Sequence, residues 1–144
     1  MQNPENSLLE NEPEDLKLAK QLAGAYFVEE MSEIESYINN MNLKDPEYKD
    51  LYRGLRFDYA VEQSYFNYVQ DGRFFEEVEI KDDSSESTPG HVTSSVYNLL
   101  KRMRDVYDPS KEIDGKPPHE GLAKKMKQKQ ERIGKILEAI ERLK

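Results

Sequence analysis

Carboxylates are the side chains best spaced for chemistry in this chain. Glu29, Glu30 and Glu33 crowd one short stretch, and Asp58 and Glu62 stand four apart in another. Residues three or four apart on an α-helix share a face. If the two stretches are helices paired antiparallel, Glu30, Glu33, Asp58 and Glu62 converge, and oxygen ligands so grouped could hold Mg²⁺. The competing reading is a polar edge in which Arg53, Arg56 and either Lys17 or Lys20 partner the acids. It is preferred, because solvated ion pairs are the ordinary use of such residues. No metal and no cofactor are therefore expected, and catalysis is not.

Other chemistries are excluded by residue type. The chain has no Cys, hence no disulfide, thiolate or Cys-type zinc site, and a reducing compartment is expected. It lacks the glycine-rich phosphate loops and the nucleophile elbow. His91 and His119 flank loops with no second ligand at metal spacing, and are expected as surface or capping residues.

Two helices would have to position those acids. Leu16, Ala19, Ala23, Phe27, Met31, Ile34, Ile38 and Met41 recur at threes and fours, one stripe of a helix with 3.6 residues per turn. Asn11 is its expected N-cap and Pro13 suits the first turn. A second helix opens with Asp45 as cap and Pro46 as first residue, places Tyr48, Tyr52, Leu55, Tyr59, Phe66 and Val69 on one face, and stops at Gly72. The four-residue turn Asn42-Leu43-Lys44-Asp45 is too short for anything but an antiparallel pair, in which residue numbers sum to about 88 at each level. Glu30 then faces Asp58.

Nine of the 14 aromatic residues fall between Tyr48 and Phe75. Tyr52, Tyr59 and Phe66 suit the core, whereas Tyr48, Phe57, Tyr65 and Tyr68 spread beyond one stripe. They are the candidate exposed aromatic interface, since a helix apolar on more than one face has more than one neighbour.

Beyond Gly72, residues 73–81 alternate Val78 and Ile80 with Glu77 and Glu79, the period of an extended piece or one strand of a small ribbon, with a helical extension as the other reading. Residues 82–90 read as an acidic, Ser-rich linker open to phosphorylation. A third helix is expected over 91–107 on Val92, Val96, Leu99, Met103 and Val106, capped by Thr88 or Thr93 and ended by Asp108-Pro109. A loop through Gly115 and Pro117-Pro118 precedes the last helix, about 120–143. There Leu122, Met126, Ile133, Ile136, Leu137, Ile140 and Leu143 keep heptad register, with Lys129 as a polar break. That stripe is the candidate surface for self-association or partner binding.

The fold class is accordingly all-α: an antiparallel hairpin extended to a four-helix bundle, with one short extended segment near 73–81. Residues 1–12 are a flexible tail and 13–144 a single helical domain, divided into the acidic hairpin 13–72, the linker 82–90 and a basic part 91–144. Residues 1–90 carry 21 Asp and Glu against 8 Lys and Arg, a balance of −13, whereas 91–144 carry 8 against 13, a balance of +5. The halves attract, within one chain or head to tail between copies. No stretch nears the roughly 20 apolar residues that span a bilayer, and the N-terminus has no basic or apolar leader, so a cytoplasmic protein is expected.

Two family likenesses follow. Facing acidic helices are similar to those of the helical Mg²⁺-dependent nucleotide pyrophosphohydrolases, although Asp58-x-x-x-Glu62 stands where that family has an ExxD pair. The order helix, loop at Thr88-Pro89-Gly90-His91, short helix, basic helix resembles the small subunits of phage terminases, which implies a DNA-engaging oligomer. Lys124, Lys125, Lys127, Lys129, Arg132 and Lys135 would then meet phosphates. A net charge of −8 and the lack of interleaved aromatics weigh against nucleic acid. The expectation is a non-catalytic, protein-binding or self-associating adaptor or assembly protein.

Overall fold

The computed structural model describes residues 12–41, 46–80, 91–110, 112 and 115–144. Its elements are α1 (Glu14–Asn39), α2 (Tyr48–Gln70), β1 (Glu77–Ile80), β2 (His91–Ser95), α3 (Val96–Val106) and α4 (Glu120–Glu141). Helix dominates, with one two-stranded sheet. The Asn11 and Thr88 caps, the 42–45 turn, the acidic linker and residues 1–11 of the tail lie outside the described residues. Two compact units are distinguished, Lys20–Val96 and Met1–Ala19 with Tyr97–Lys144.

In the first unit, α1 and α2 form the antiparallel hairpin. Phe27 meets Tyr65, and a Cβ placed on Gly24 would touch Phe66 at 3.6 Å, so the helices pair antiparallel with α2 displaced by up to one turn from the expected register. Helix α2 begins at Tyr48 rather than Pro46; Glu47 occupies the cap position without a side-chain cap bond. Its end is as the glycine demands. Gly72 has φ of 72°, its N–H donates to the Val69 carbonyl at 2.9 Å, and the Arg73 N–H donates to the Tyr68 carbonyl at 2.9 Å, closing a Schellman motif.

After that stop the chain is extended. β1 pairs antiparallel with β2, Val78 opposite Thr93 and Ile80 opposite His91, with an irregularity between Glu77 and Val78. The period of two is a strand: Val78 and Ile80 are buried while Glu77 and Glu79 are exposed. The expected third helix therefore loses its first turn. Residues 91–95 are β2, so Thr93 is a strand residue and not a cap. Val92 shows why the helical spacing misled, for it is 65% exposed and contributes nothing to the apolar stripe of α3. β-branched Val92 and Thr93 suit a strand once β1 supplies the hydrogen bonds.

In the second unit, α3 and α4 run antiparallel. The Gln130 amide donates to the Arg104 carbonyl at 3.3 Å, and the Tyr97 hydroxyl donates to a Glu141 carboxylate oxygen at 2.8 Å. Asp108 accepts from the Ser110 N–H and hydroxyl in a tight turn after α3. His119 caps α4, its Nδ1 accepting from the Leu122 N–H at 3.1 Å. The cap satisfies a donor that has no partner within the helix.

Candidate functional site

The hairpin changes character along its length. At its base Ala23, Tyr26, Phe27, Ser64, Tyr65 and Val69 are buried. Between residues 28 and 63 no described residue is buried. Apolar residues nevertheless continue through this arm: Ile34, Ile38, Met41, Tyr52 and Leu55 are half-buried, and Tyr37 and Leu51 are 67% and 52% exposed. Two helices offer each side chain too few neighbours to leave water; a third layer is what buries such a stripe.

One side of the arm carries a cavity of about 310 Å³ that brings together all four predicted carboxylates, Glu30 and Glu33 from α1 with Asp58 and Glu62 from α2. Its apolar lining is Ile34, Tyr37, Leu55 and Val61. The Glu62 oxygen Oε2 is out of contact with water and accepts no hydrogen bond. Burial first, then the negative charges of Glu30 and Asp58, push the Glu62 carboxyl up to about 7. The acids thus converge, but not as a coordination sphere: among the described residues no group of three or more His, Asp or Glu could hold a metal ion.

The other side is a groove of about 980 Å³ whose wall includes Glu35, Tyr52, Arg56, Tyr59, Tyr68 and Arg73. Two of its three rings, Tyr52 and Tyr68, are already used by its own cations. The Arg56 guanidinium lies 5.8 Å over Tyr52, and that of Arg73 4.2 Å over Tyr68 while also pairing with Glu76. The Tyr68 hydroxyl accepts from the Glu79 N–H at 3.2 Å. Burial, and then the charge of the Glu35 carboxylate to which it donates, raises the Tyr59 phenol above its usual range.

Known protein families, curated proteins and solved structures offer no match to this chain.

The aromatic interface is redrawn. Tyr65 is 1% exposed, because the ribbon adds a neighbour that a hairpin alone lacks, and its hydroxyl donates to Thr93 Oγ1 at 3.3 Å. Tyr68 is half-buried under Arg73, whereas Tyr48 and Phe57 are each just over one-third exposed. Tyr37 and Leu51, missing from the candidate sites, are more exposed than any of these. Their signal was positional: Tyr37 lies one turn beyond Glu33 on α1, on the cavity lining that also holds Leu55, and Leu51 lies one turn before Leu55 on α2.

The heptad stripe is occupied within the chain. Met126, Ile133, Ile136, Leu137 and Ile140 are buried, leaving Leu122 at 36% exposed and Leu143 half-buried. Lys129, the polar break, lies 5.0 Å over the Tyr107 ring and donates to its hydroxyl at 3.4 Å. It fills a stripe position by laying its stem on an aromatic face. Lys124, Lys125 and Lys127 remain exposed on α4. No described helix is long and apolar enough to cross a membrane.

Proposed function

We propose that the protein is a non-catalytic, cytoplasmic interaction module whose helical arm, residues 28–63, docks a partner protein. The observation that carries this reading is the apolar stripe of the arm, which runs on beyond the hairpin base with no buried residue among those described. Apolar surface left in water on both helices of a hairpin favours covering by another macromolecule. The C-terminal stripe, the other candidate for association, already has most of its large side chains buried within the chain. Tyr37 and Leu51 would be the central anchors, being the large apolar residues of the arm with most area still to bury.

The test places a photo-crosslinking amino acid in the full chain, in its native cell, at Tyr37, at Leu51, or at Arg53 on the outer side of α2. Discrete heavier adducts at the first two positions, weaker at Arg53, are expected. A pattern indistinguishable among the three positions, or no adduct, overturns the docking role of the arm.

A further inference from the structure

The arm carries charge as well as apolar surface, and the combination restricts what can cover it. Residues 28–63 hold nine Asp and Glu against four Lys and Arg, a balance of −5. In the 310 Å³ cavity the apolar floor of Ile34, Leu55 and Val61 lies among Glu30, Glu33, Asp58 and Glu62. Tyr37 stands on the same lining, and Leu51 is one turn before Leu55 on α2. From Glu30 to Tyr37 the α1 wall runs about 10 Å at 1.5 Å per residue, the length of two turns of a docked helix.

We propose that this side of the arm binds a basic amphipathic helix of a partner protein, its apolar residues on Ile34, Tyr37, Leu51 and Leu55 and its Lys or Arg side chains among the flanking carboxylates. The inference rests on the arm being the docking element and adds the chemistry of what docks. Three observations select this occupant. A second arm would set a like charge of −5 against the first, which disfavours pairing of copies through this surface. The chain's own basic helix, α4, has most of its apolar stripe buried and presents lysines without the hydrophobic face that a helix in a groove uses. Glu30, Asp58 and Glu62 crowd one cavity, and an ammonium or guanidinium seated among them would relieve the repulsion between like charges. The larger groove on the opposite side is a weaker candidate, because Arg56 and Arg73 already lie over two of its tyrosine rings, Tyr52 and Tyr68.

The probe is a synthetic helical peptide with leucines at i, i+4 and i+7 flanked by lysines and arginines, titrated into the full chain and followed by fluorescence anisotropy. Its controls are a peptide with the same leucines flanked by glutamates and a scrambled basic peptide of identical composition. The basic amphipathic peptide is expected to bind at least tenfold more tightly than either control. Leu55→Asp should weaken it about tenfold or more. Tyr37→Ala, at an exposed position where folding is not at stake, should weaken it as well, with melting temperature recorded for both variants. Glu30→Gln with Asp58→Asn should flatten the dependence of affinity on salt.

Equal binding of the scrambled peptide with no effect of Tyr37→Ala would reduce the interaction to unspecific charge and overturn the proposal. Equal binding of the acidic peptide, or none of the basic one, would do the same. So would a concentration-dependent dimer in light scattering that Tyr37→Ala dissolves, since a second copy would then cover the surface. If adducts form in the cell at Tyr37 but the basic peptide fails, the partner chemistry is wrong and the docking role of the arm stands. If neither is seen, both fall.

Discussion

The ring of Phe27 lies nearly parallel to that of Tyr65, centroids 5.7 Å apart and planes 8° from each other, while Tyr26 meets Phe27 edge-on at 5.2 Å. This stack joins α1 to α2 at the base of the hairpin, and the Tyr65 hydroxyl continues the link to β2 through Thr93. Phe27→Ala is expected to cost about 3–5 kcal/mol, the range for emptying a buried aromatic site. Tyr65→Phe keeps the ring and removes the hydrogen bond, for about 0.5–1.5 kcal/mol. Urea unfolding of both variants checks the order; equal losses would mean that the stack contributes little.

Glu62 makes stability depend on pH with a definite sign. Its folded value of about 7 lies above the ordinary 4.5, so the folded state holds a proton that the unfolded state has released. Below pH 4.5 both states are protonated and no penalty exists. As pH rises toward 7 stability falls, and above 7 the full penalty is present. Glu62→Gln, a neutral mimic of the protonated acid, should therefore be more stable than wild type at pH 8, by on the order of 2 kcal/mol, and similar to it at pH 4. Denaturant midpoints across that range read the difference. A constant gap at all pH values would show that the carboxyl titrates normally.

The C-terminal stripe should respond to substitution by unfolding and not by dissociating. Ile133 and Ile140 are fully buried, so an Asp at either places a charge where no water reaches. A loss of about 4 kcal/mol or more is expected for Ile133→Asp or Ile140→Asp. Circular dichroism and light scattering together decide. Retained helicity with a halved mass would instead make this stripe an interface.

Gly72 is a backbone test. At φ of 72° a side chain is strained, and the turn it closes separates α2 from β1. Gly72→Ala should cost about 1 kcal/mol, read as a lower melting temperature. No loss would mean that the turn relaxes into a standard helix end.

The helical stretches and the C-terminal ends of α2 and α3 were legible because they depend on neighbours a few residues away, whereas the starts of both helices were misplaced. The fourfold spacing of Ala19, Ala23 and Phe27, the stop at Gly72, and the break at Asp108-Pro109 all act within one or two turns of backbone. The meeting of Glu30, Glu33, Asp58 and Glu62 in one cavity also followed from local spacing, given a hairpin. Burial was decided elsewhere. Tyr65 and Phe66 are adjacent on α2 and similarly apolar, yet Tyr65 went into the core and Phe66 only halfway, because the β1–β2 ribbon adds a neighbour that no periodicity within the helix encodes. His91 to Ser95 became a strand for the same reason: β propensity is realised only when another strand, here β1, supplies hydrogen bonds across a gap in the sequence. The heptads of α4 specified an apolar face without saying what would cover it. Ile34, Tyr37, Leu51 and Leu55 follow helical spacing as the core residues do, and only the fold left them half-buried or exposed, for among the described residues no third surface covers the two helices beyond the reach of the ribbon.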